Sequence, residues 1–370
     1  MADRKLTRDQ LSAMRAIRDA AKVGDKMHQQ QTERSLELGL QAAPSVQDRT
    51  ISLFVRGFYP NFAGINTFLK APYCEDIRDV GKYDVAFVGA PLDCGTTNRP
   101  GTRFGPQGVR RASAWSDWYS ADMGIVLQEQ LSICDAGDIF IIPSNLEKSF
   151  DQIDLAVSHL HKSGVFPVIC GGDHSIGYPD VRGTAPHIDG RIGIVHFDRH
   201  IDTMDRDMDE RMHTCPWFHA TNIANCPASN LVQFGIGGWF GSRPGITVAR
   251  ERNTTVISVS DVDEWGLDKC IDIALECAWK NAKTVFLSFD IDVVDPGFAP
   301  GTGTPEPGGL TPREALRAVR RVAKEGLCGM ELVEVAPIYD VADVTSLLAG
   351  RVILDVLGTL VQNNRIRTKA

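Results

Sequence analysis

The sequence predicts an α/β fold built on one doubly wound, parallel sheet. From Tyr83 onward, short β-branched runs alternate with stretches of helical periodicity. Several of these runs are almost wholly apolar, as expected of strands that are buried on both faces of a parallel sheet. Such alternation is typical of βαβ units, whose crossover helices cover the two faces of the sheet.

The individual elements follow from the same pattern. The predicted strands are residues 84–88, 165–170, 192–197, 231–234, 255–259, 284–289 and 330–335. The predicted helices are residues 150–162, 267–280 and 312–324. The last of these begins with Thr311, Pro312 and Glu314, which form a capping box with proline at the first helical position.

The chain divides into two predicted parts. Residues 1–55 are rich in charged residues and glutamine and lack glycine-rich turns, which predicts an N-terminal helical extension. This extension is either an oligomer contact or a flexible tail, and we favour the contact. Residues 56–370 carry the alternating pattern and are predicted to form the catalytic domain.

Composition limits the binding partners and the cellular location that are expected of this chain. The net charge of −8 argues against nucleic acid, whose phosphates need a clustered basic face. The 9 cysteines lack C-x-x-C spacing, which is typical of reduced thiols in the cytoplasm. The N-terminus has no apolar signal region, and no apolar stretch is expected to reach the roughly 20 residues of a membrane span. The sequence predicts a cytoplasmic protein without a membrane partner.

Three of the apolar runs end in acidic or imidazole side chains. Residues 171–175 read GGDHS, residues 198–202 read DRHID and residues 290–292 read DID. In parallel sheets, ligands bind beyond the carboxyl ends of the strands. Because residues i and i+2 of an extended chain share a face, the side chains within each motif can point one way. The candidate metal ligands are His174, Asp198, His200, Asp202, Asp290 and Asp292.

This set of side chains predicts a metal centre. Bare carboxylates converging at one edge of a sheet would repel each other, and divalent cations remove that penalty. Carboxylate and imidazole ligands without thiolate favour Mn²⁺, Ni²⁺, Co²⁺ or Fe²⁺ over a structural zinc site. The set is too large for one ion with open positions and large enough for two ions that share carboxylates. Taken singly, D-x-D and GGDHS are also common turn motifs, but three such motifs at separate strand ends favour metal.

These motifs, together with SFDID-x-x-DP and VEVAP, resemble the ureohydrolase family, which includes arginases and agmatinases, from about Tyr83 to Leu360. The resemblance implies a three-layer α/β/α arginase-like fold with a central parallel eight-stranded sheet. It also implies two metal ions that share Asp198 and Asp290. One ion would be held with His174 and Asp202, and the other with His200 and Asp292.

The resemblance also implies a catalytic role for two further residues. His213 matches a histidine near the leaving group, and Glu334 matches the carboxylate that faces the guanidinium. A metal-bridging hydroxide would attack the guanidine-like carbon and cleave a C–N bond. Asp202 would accept a hydrogen bond from the nucleophile, and His213 would protonate the leaving amine. Without the resemblance, His213 reads as a surface-loop histidine and Glu334 as a strand-end carboxylate.

The substrate is predicted from longer similarities. Residues 50–73, 99–111, 209–222 and 231–239 resemble nickel-dependent guanidinases, which implies nickel, with manganese as the alternative. The chain departs from that branch at Asn98 and Thr304, where the branch carries aromatic residues, and at Ile338, where it carries proline. Smaller residues beside Thr97 enlarge the predicted substrate pocket.

We therefore expect a small cationic substrate, either an N-alkylguanidine or a biguanide such as metformin, which would yield guanylurea and dimethylamine. Free guanidine remains the alternative. Similarity to metformin hydrolases implies a hexamer, either homo-oligomeric or with a related non-catalytic subunit. A deacetylase of the same fold would use one zinc ion, and a non-catalytic partner subunit would have lost metal ligands.

Overall fold

A parallel sheet of eight strands forms the centre of the fold, as predicted. The computed structural model describes residues 61–366 and 368, so the predicted extension 1–55 lies outside the described residues. The strands are β1 Val85–Ala90, β2 Ile133–Asp138, β3 Phe166–Gly171, β4 Arg191–Phe197, β5 Leu231–Ile236, β6 Thr255–Ser258, β7 Ala282–Asp290 and β8 Gly329–Val333. Their spatial order is β2-β1-β3-β8-β7-β4-β5-β6, and each neighbouring pair is parallel.

The described part of the chain has ten α-helices, eight of which fall into two groups in mutual contact. The ten helices are α1 Gly105–Ser113, α2 Leu127–Gln130, α3 Leu146–Lys162, α4 Gly177–Thr184, α5 Pro216–Ala220, α6 Arg243–Glu251, α7 Val259–Trp265, α8 Leu267–Ala278, α9 Pro312–Ala323 and α10 Val344–Gln362. Helices α3, α4 and α5 contact one another in succession, as do α1, α10, α9, α8 and α7. Short 3₁₀ turns and a ribbon of Tyr119–Ser120 with Ile125–Val126 complete the described chain.

The predicted helices and strands are present with shifted ends. The capping box of α9 forms as expected, with Glu314 N donating to Thr311 Oγ1 at 3.3 Å and Thr311 N donating to the Glu314 carboxylate at 2.8 Å. Strand β2 was not predicted, because its sequence ICDAGD is apolar only at the start. The strand forms because it pairs in parallel with β1 at the edge of the sheet.

Helix α10 corrects the expectation that no apolar stretch approaches the length of a membrane span. It has 19 residues with a mean hydropathy of 1.7, and 67% of its apolar window is buried inside the fold. Helices at the core of a protein have the same length and composition as spans, so α10 by itself is weak evidence for a membrane. Its polar residue Asp355 is buried and paired with Arg320 and Arg351.

Candidate active site and metal centre

The candidate site lies beyond the carboxyl ends of four adjacent central strands. His174 follows β3, Glu334 follows β8, Asp290 ends β7 and Asp198 follows β4. These strands are neighbours in the sheet, in the order β3-β8-β7-β4. Residues that are far apart in sequence therefore meet at one edge, as expected for ligand sites in parallel sheets.

The first half of the cluster is centred on the His174 ring. Its Nδ1 lies 2.9 Å from Asp198 Oδ2, 3.2 Å from Asp202 Oδ2 and 3.0 Å from Asp290 Oδ2. Nε2 of the same ring lies 2.9 Å from Ser288 Oγ, which fixes its orientation. The four side chains that the resemblance assigns to one ion are thus brought together.

The second half is centred on His200. Its Nδ1 lies 3.3 Å from Asp198 Oδ1 and 3.0 Å from Asp292 Oδ2. Asp198 therefore directs one carboxylate oxygen to each half of the cluster. This arrangement fits a carboxylate that two ions would share.

The donor set fits divalent cations. Burial alone would lower the pKa of His174, but Asp198, Asp202 and Asp290 raise it well above its usual value. The pKa of His200 is likewise raised, because Asp292 and Asp198 outweigh the effect of burial. The carboxylates of the cluster therefore favour positive charge at the two histidines, and bound cations would supply positive charge at the same place. These donors are oxygen and imidazole nitrogen atoms without a thiolate, which suits two transition-metal ions.

Two residues of the site have left-handed backbone. The φ angle is 44° at Asp202 and 63° at Glu334, and neither residue is glycine. Such conformations are costly for side chains with a Cβ and are concentrated at functional sites. The turns they form direct Asp202 towards His174 and Glu334 towards His213.

Glu334 and His213 form a buried pair beside the cluster. Glu334 Oε1 accepts hydrogen bonds from His174 N and from His213 Nδ1, each at 2.9 Å. Burial lowers the pKa of His213, but Glu334 overcomes that effect and raises it to about 9. On its other side, His213 Nε2 accepts a hydrogen bond from Thr97 N at 3.2 Å and lies 2.7 Å from Thr97 Oγ1. Glu334 Oε2 has no partner among the described residues.

The predicted substrate-binding residues share one cavity with this cluster. Thr97, Asn98, Thr304 and Glu334 line it together with His200 and His213. Asn98 Nδ2 donates to Gly303 O at 3.3 Å, which places the loop after β1 against the loop after β7. The Thr304 hydroxyl is buried and has no partner within the described part of the chain. Ile338 is exposed and does not line the cavity.

Sequence reasoning missed several residues of the site. His196 lies in β4, with Nε2 at 2.7 Å from Asp198 Oδ2, and burial lowers its pKa to about 4. The sequence did contain a signal for His196, because residues two positions apart in a strand share a face and His196 precedes Asp198 by two. Phe240 lines the cavity, and its ring centroid lies 6.4 Å from that of His200. No local pattern marks Phe240.

Asp173 was part of the GGDHS motif but was given no role. Its Oδ2 accepts a hydrogen bond from Gly95 N at 2.8 Å, and Gly95 O accepts one from His213 N at 2.9 Å. Asp173 thus ties the loop after β1 to the segment that carries His213. Gly172 is required beside it, because a Cβ there would collide with Leu92 O.

The arginase family model matches residues 83–358 of this chain. The chain belongs to the arginase family. It is 37% identical over 299 residues to the mitochondrial agmatinase of Gallus gallus, covering 80% of this chain and 86% of that protein. It is 33% identical to the guanidinobutyrase of Pseudomonas aeruginosa, covering 81% of this chain and 94% of that protein.

Solved structures give the same result. The proclavaminate amidino hydrolase of Streptomyces clavuligerus superimposes with a TM-score of 0.75 and 33% identity, covering 82% of this chain and 99% of that chain. The arginase-like fold and the prediction of a hydrolase that acts on C–N bonds are confirmed. As a member of the arginase family, this enzyme is a ureohydrolase with a candidate His/Asp cluster for a binuclear metal site.

Proposed function

We propose that this arginase-family enzyme hydrolyses an N-alkylguanidine or a biguanide such as metformin, with nickel as its metal. The observation that carries the proposal is the presence of small residues, Asn98 and Thr304, in the wall of the cavity that holds Glu334. A ring at either position would fill space that a dimethylamino or amidino group needs, and overfilled close-packed sites lose binding. Free guanidine is the second candidate, since it also presents a planar cation to Glu334.

The cluster residues would hold the metal ions. His174, Asp198, Asp202 and Asp290 would hold one ion, and Asp198, His200, Asp290 and Asp292 the other. Bound there, the two cations would supply the positive charge that lowers the pKa of a water molecule to near neutrality. Nickel and manganese both accept these donors, and the assignment of nickel rests on the similarity of the longer sequence stretches to guanidinases.

Glu334, Asp202 and His213 would each have a separate role in C–N cleavage. The free Glu334 Oε2 accepts N–H donors of the guanidinium and holds its central carbon beside the cluster. Asp202 accepts a hydrogen bond from the attacking oxygen. When the C–N bond breaks, the leaving nitrogen takes a proton, and His213, whose pKa is raised to about 9, would donate it. The products are a urea-type carbonyl compound and the free amine.

The substrate is tested directly by product analysis. Protein loaded with nickel, and in parallel with manganese, is incubated with guanidine, 1,1-dimethylguanidine, metformin, agmatine and arginine. We expect dimethylamine from metformin or dimethylguanidine, with a higher kcat/KM than for guanidine. A preference for guanidine would replace the proposal with its alternative, and turnover of agmatine or arginine alone would exclude both.

A further inference from the structure

The cavity contains one carboxylate that neither the metal cluster nor the guanidinium site uses. Asp202, Asp290 and Asp292 belong to the cluster and Glu334 faces the substrate, whereas Asp207 lines the same cavity without such a role. Asp207 is half-buried and lies in the loop that follows β4.

The position of Asp207 is fixed by the segment that carries His213. Its Oδ2 accepts a hydrogen bond from Thr214 Oγ1 at 3.0 Å. Thr214 O in turn accepts from Met204 N at 3.0 Å, which closes the loop on itself. Asp207 is therefore held by the residue that follows His213, the proposed proton donor to the leaving nitrogen. Among the described residues, no donor contacts its Oδ1.

No lysine or arginine lines this cavity among the described residues. In the loop after β1, Arg99 donates to Gly303 O at 3.1 Å and Thr302 O at 2.8 Å, and in the loop of Asp207, Arg206 pairs with Glu210. The Arg99 guanidinium also lies over the ring of Tyr339, 4.3 Å from the centroid. Arg99 is thus engaged with the protein itself. Among the described residues that line the cavity, no basic side chain would offset the repulsion between Asp207 and a carboxylate on the far end of a substrate.

We infer that Asp207 is a specificity-determining residue that rejects guanidine-type substrates with an anionic tail and favours tails that carry N–H groups or positive charge. The inference rests on the proposed function, because it takes the guanidine group to be held at Glu334. A biguanide meets the requirement, since its second amidine half carries N–H donors. Like charges within one partly buried cavity repel, whereas an N–H donor gains a charge-assisted hydrogen bond.

The test uses three guanidines with a four-carbon substituent whose tail is cationic, neutral or anionic: agmatine (4-guanidinobutylamine), 1-butylguanidine and 4-guanidinobutanoate. With the wild-type holoenzyme, we expect kcat/KM to fall in that order. Asp207→Asn keeps an oxygen acceptor for Thr214 and removes the charge. We expect it to raise kcat/KM for the carboxylate about tenfold relative to 1-butylguanidine, and to lower that for the amine.

The matched control is Asp205→Asn, which makes the same change of charge at an exposed residue of the same loop that does not line the cavity. Where a compound is not turned over, its inhibition constant against the best substrate is measured instead and gives its relative affinity. The inference is overturned if wild type accepts the carboxylate as well as the amine, or if the two variants shift the ratios equally. If metformin and dimethylguanidine are not hydrolysed but Asp207→Asn still changes the charge ratios, only the proposed function fails.

Discussion

At the scale of single residues, the site depends on side chains whose oxygen atoms have distinct partners. Asp198 Oδ1 faces His200 and Asp198 Oδ2 faces His174. Glu334 Oε1 is used by the protein, whereas Oε2 has no partner among the described residues. These contacts distinguish Asp198, which would hold metal, from Glu334, which would hold substrate. Substitutions at each residue test the distinction.

Glu334→Gln should leave the metal content unchanged and lower kcat/KM about 100-fold, because a neutral amide loses the charge-assisted contact with the substrate cation. Metal content is measured by mass spectrometry of the purified protein and activity by amine release. Glu325→Gln, at an exposed residue that pairs with Arg365, is the control. Loss of metal from Glu334→Gln would contradict a substrate-binding role.

Asp198→Ala should empty both metal positions, because its two oxygens face both halves of the cluster. His174→Ala should mainly weaken metal binding in the half of the cluster that contains Asp202. The number of ions bound per chain, measured at increasing metal concentration, distinguishes the two outcomes. A variant Asp198→Ala that retained two ions and full turnover would show that the assignment is wrong.

At the scale of elements, loops after separate strands build the cavity, and packed helices support it. The loop after β1 carries Asn98 and the loop after β7 carries Thr304, and a hydrogen bond from Asn98 joins them. Farther from the site, α9 and α10 are joined through the buried carboxylate of Asp355. It accepts from Arg320 Nε and Arg351 Nε, each at 2.7 Å.

The double variant Asn98→Tyr with Thr304→Trp should lose activity on dimethylated substrates and gain relative preference for free guanidine. The added rings occupy the space that we assign to the substituted nitrogen. The readout is kcat/KM for metformin, 1,1-dimethylguanidine and guanidine, with Ile338→Pro as a control outside the cavity. An unchanged ranking of the three substrates would count against a widened pocket.

Asp355→Ala should lower the free energy of unfolding by about 1–3 kcal/mol, because it leaves two guanidinium groups without their buried acceptor. Asp272→Ala removes an ion pair with Arg321 at a side chain that is 65% exposed and should change stability by less than about 0.5 kcal/mol. Thermal unfolding of both variants gives the comparison. Equal shifts would mean that the α9–α10 contact is independent of this carboxylate.

At the scale of the whole molecule, the family fold places the site on the unit that begins at Asn66. Residues 1–55 lie outside the described chain, and their role as an oligomer contact stays a prediction from composition. The hexamer and a related non-catalytic subunit are likewise predictions from resemblance.

Deletion of residues 1–50 should reduce the oligomer size while leaving the metal content per chain unchanged, because the cluster lies between residues 174 and 292. Light scattering coupled to size-exclusion chromatography measures the first quantity, and metal analysis the second. An unchanged oligomer would mean that the extension is a tail.

The sequence by itself determined the fold class and the candidate metal ligands. Periodicity and motif position are local properties, so the alternation of strands and helices and the D-x-H-x-D and D-x-D motifs could be interpreted without a structure. The structure then brought every one of the named ligands into one cluster. Glu334 and His213 required the resemblance to a family, because neither lies in a local pattern of its own.

Tertiary structure alone decided what surrounds that cluster. Strand β2 owes its conformation to pairing with β1, and its short apolar pattern gave no sufficient signal. Thr97 meets His213 across 116 residues of sequence, and Asp207 lines the cavity with its carboxylate bonded to Thr214. The walls of the cavity form where loops from separate strands converge beyond the sheet. Their composition depends on the order of the strands, which local sequence does not encode.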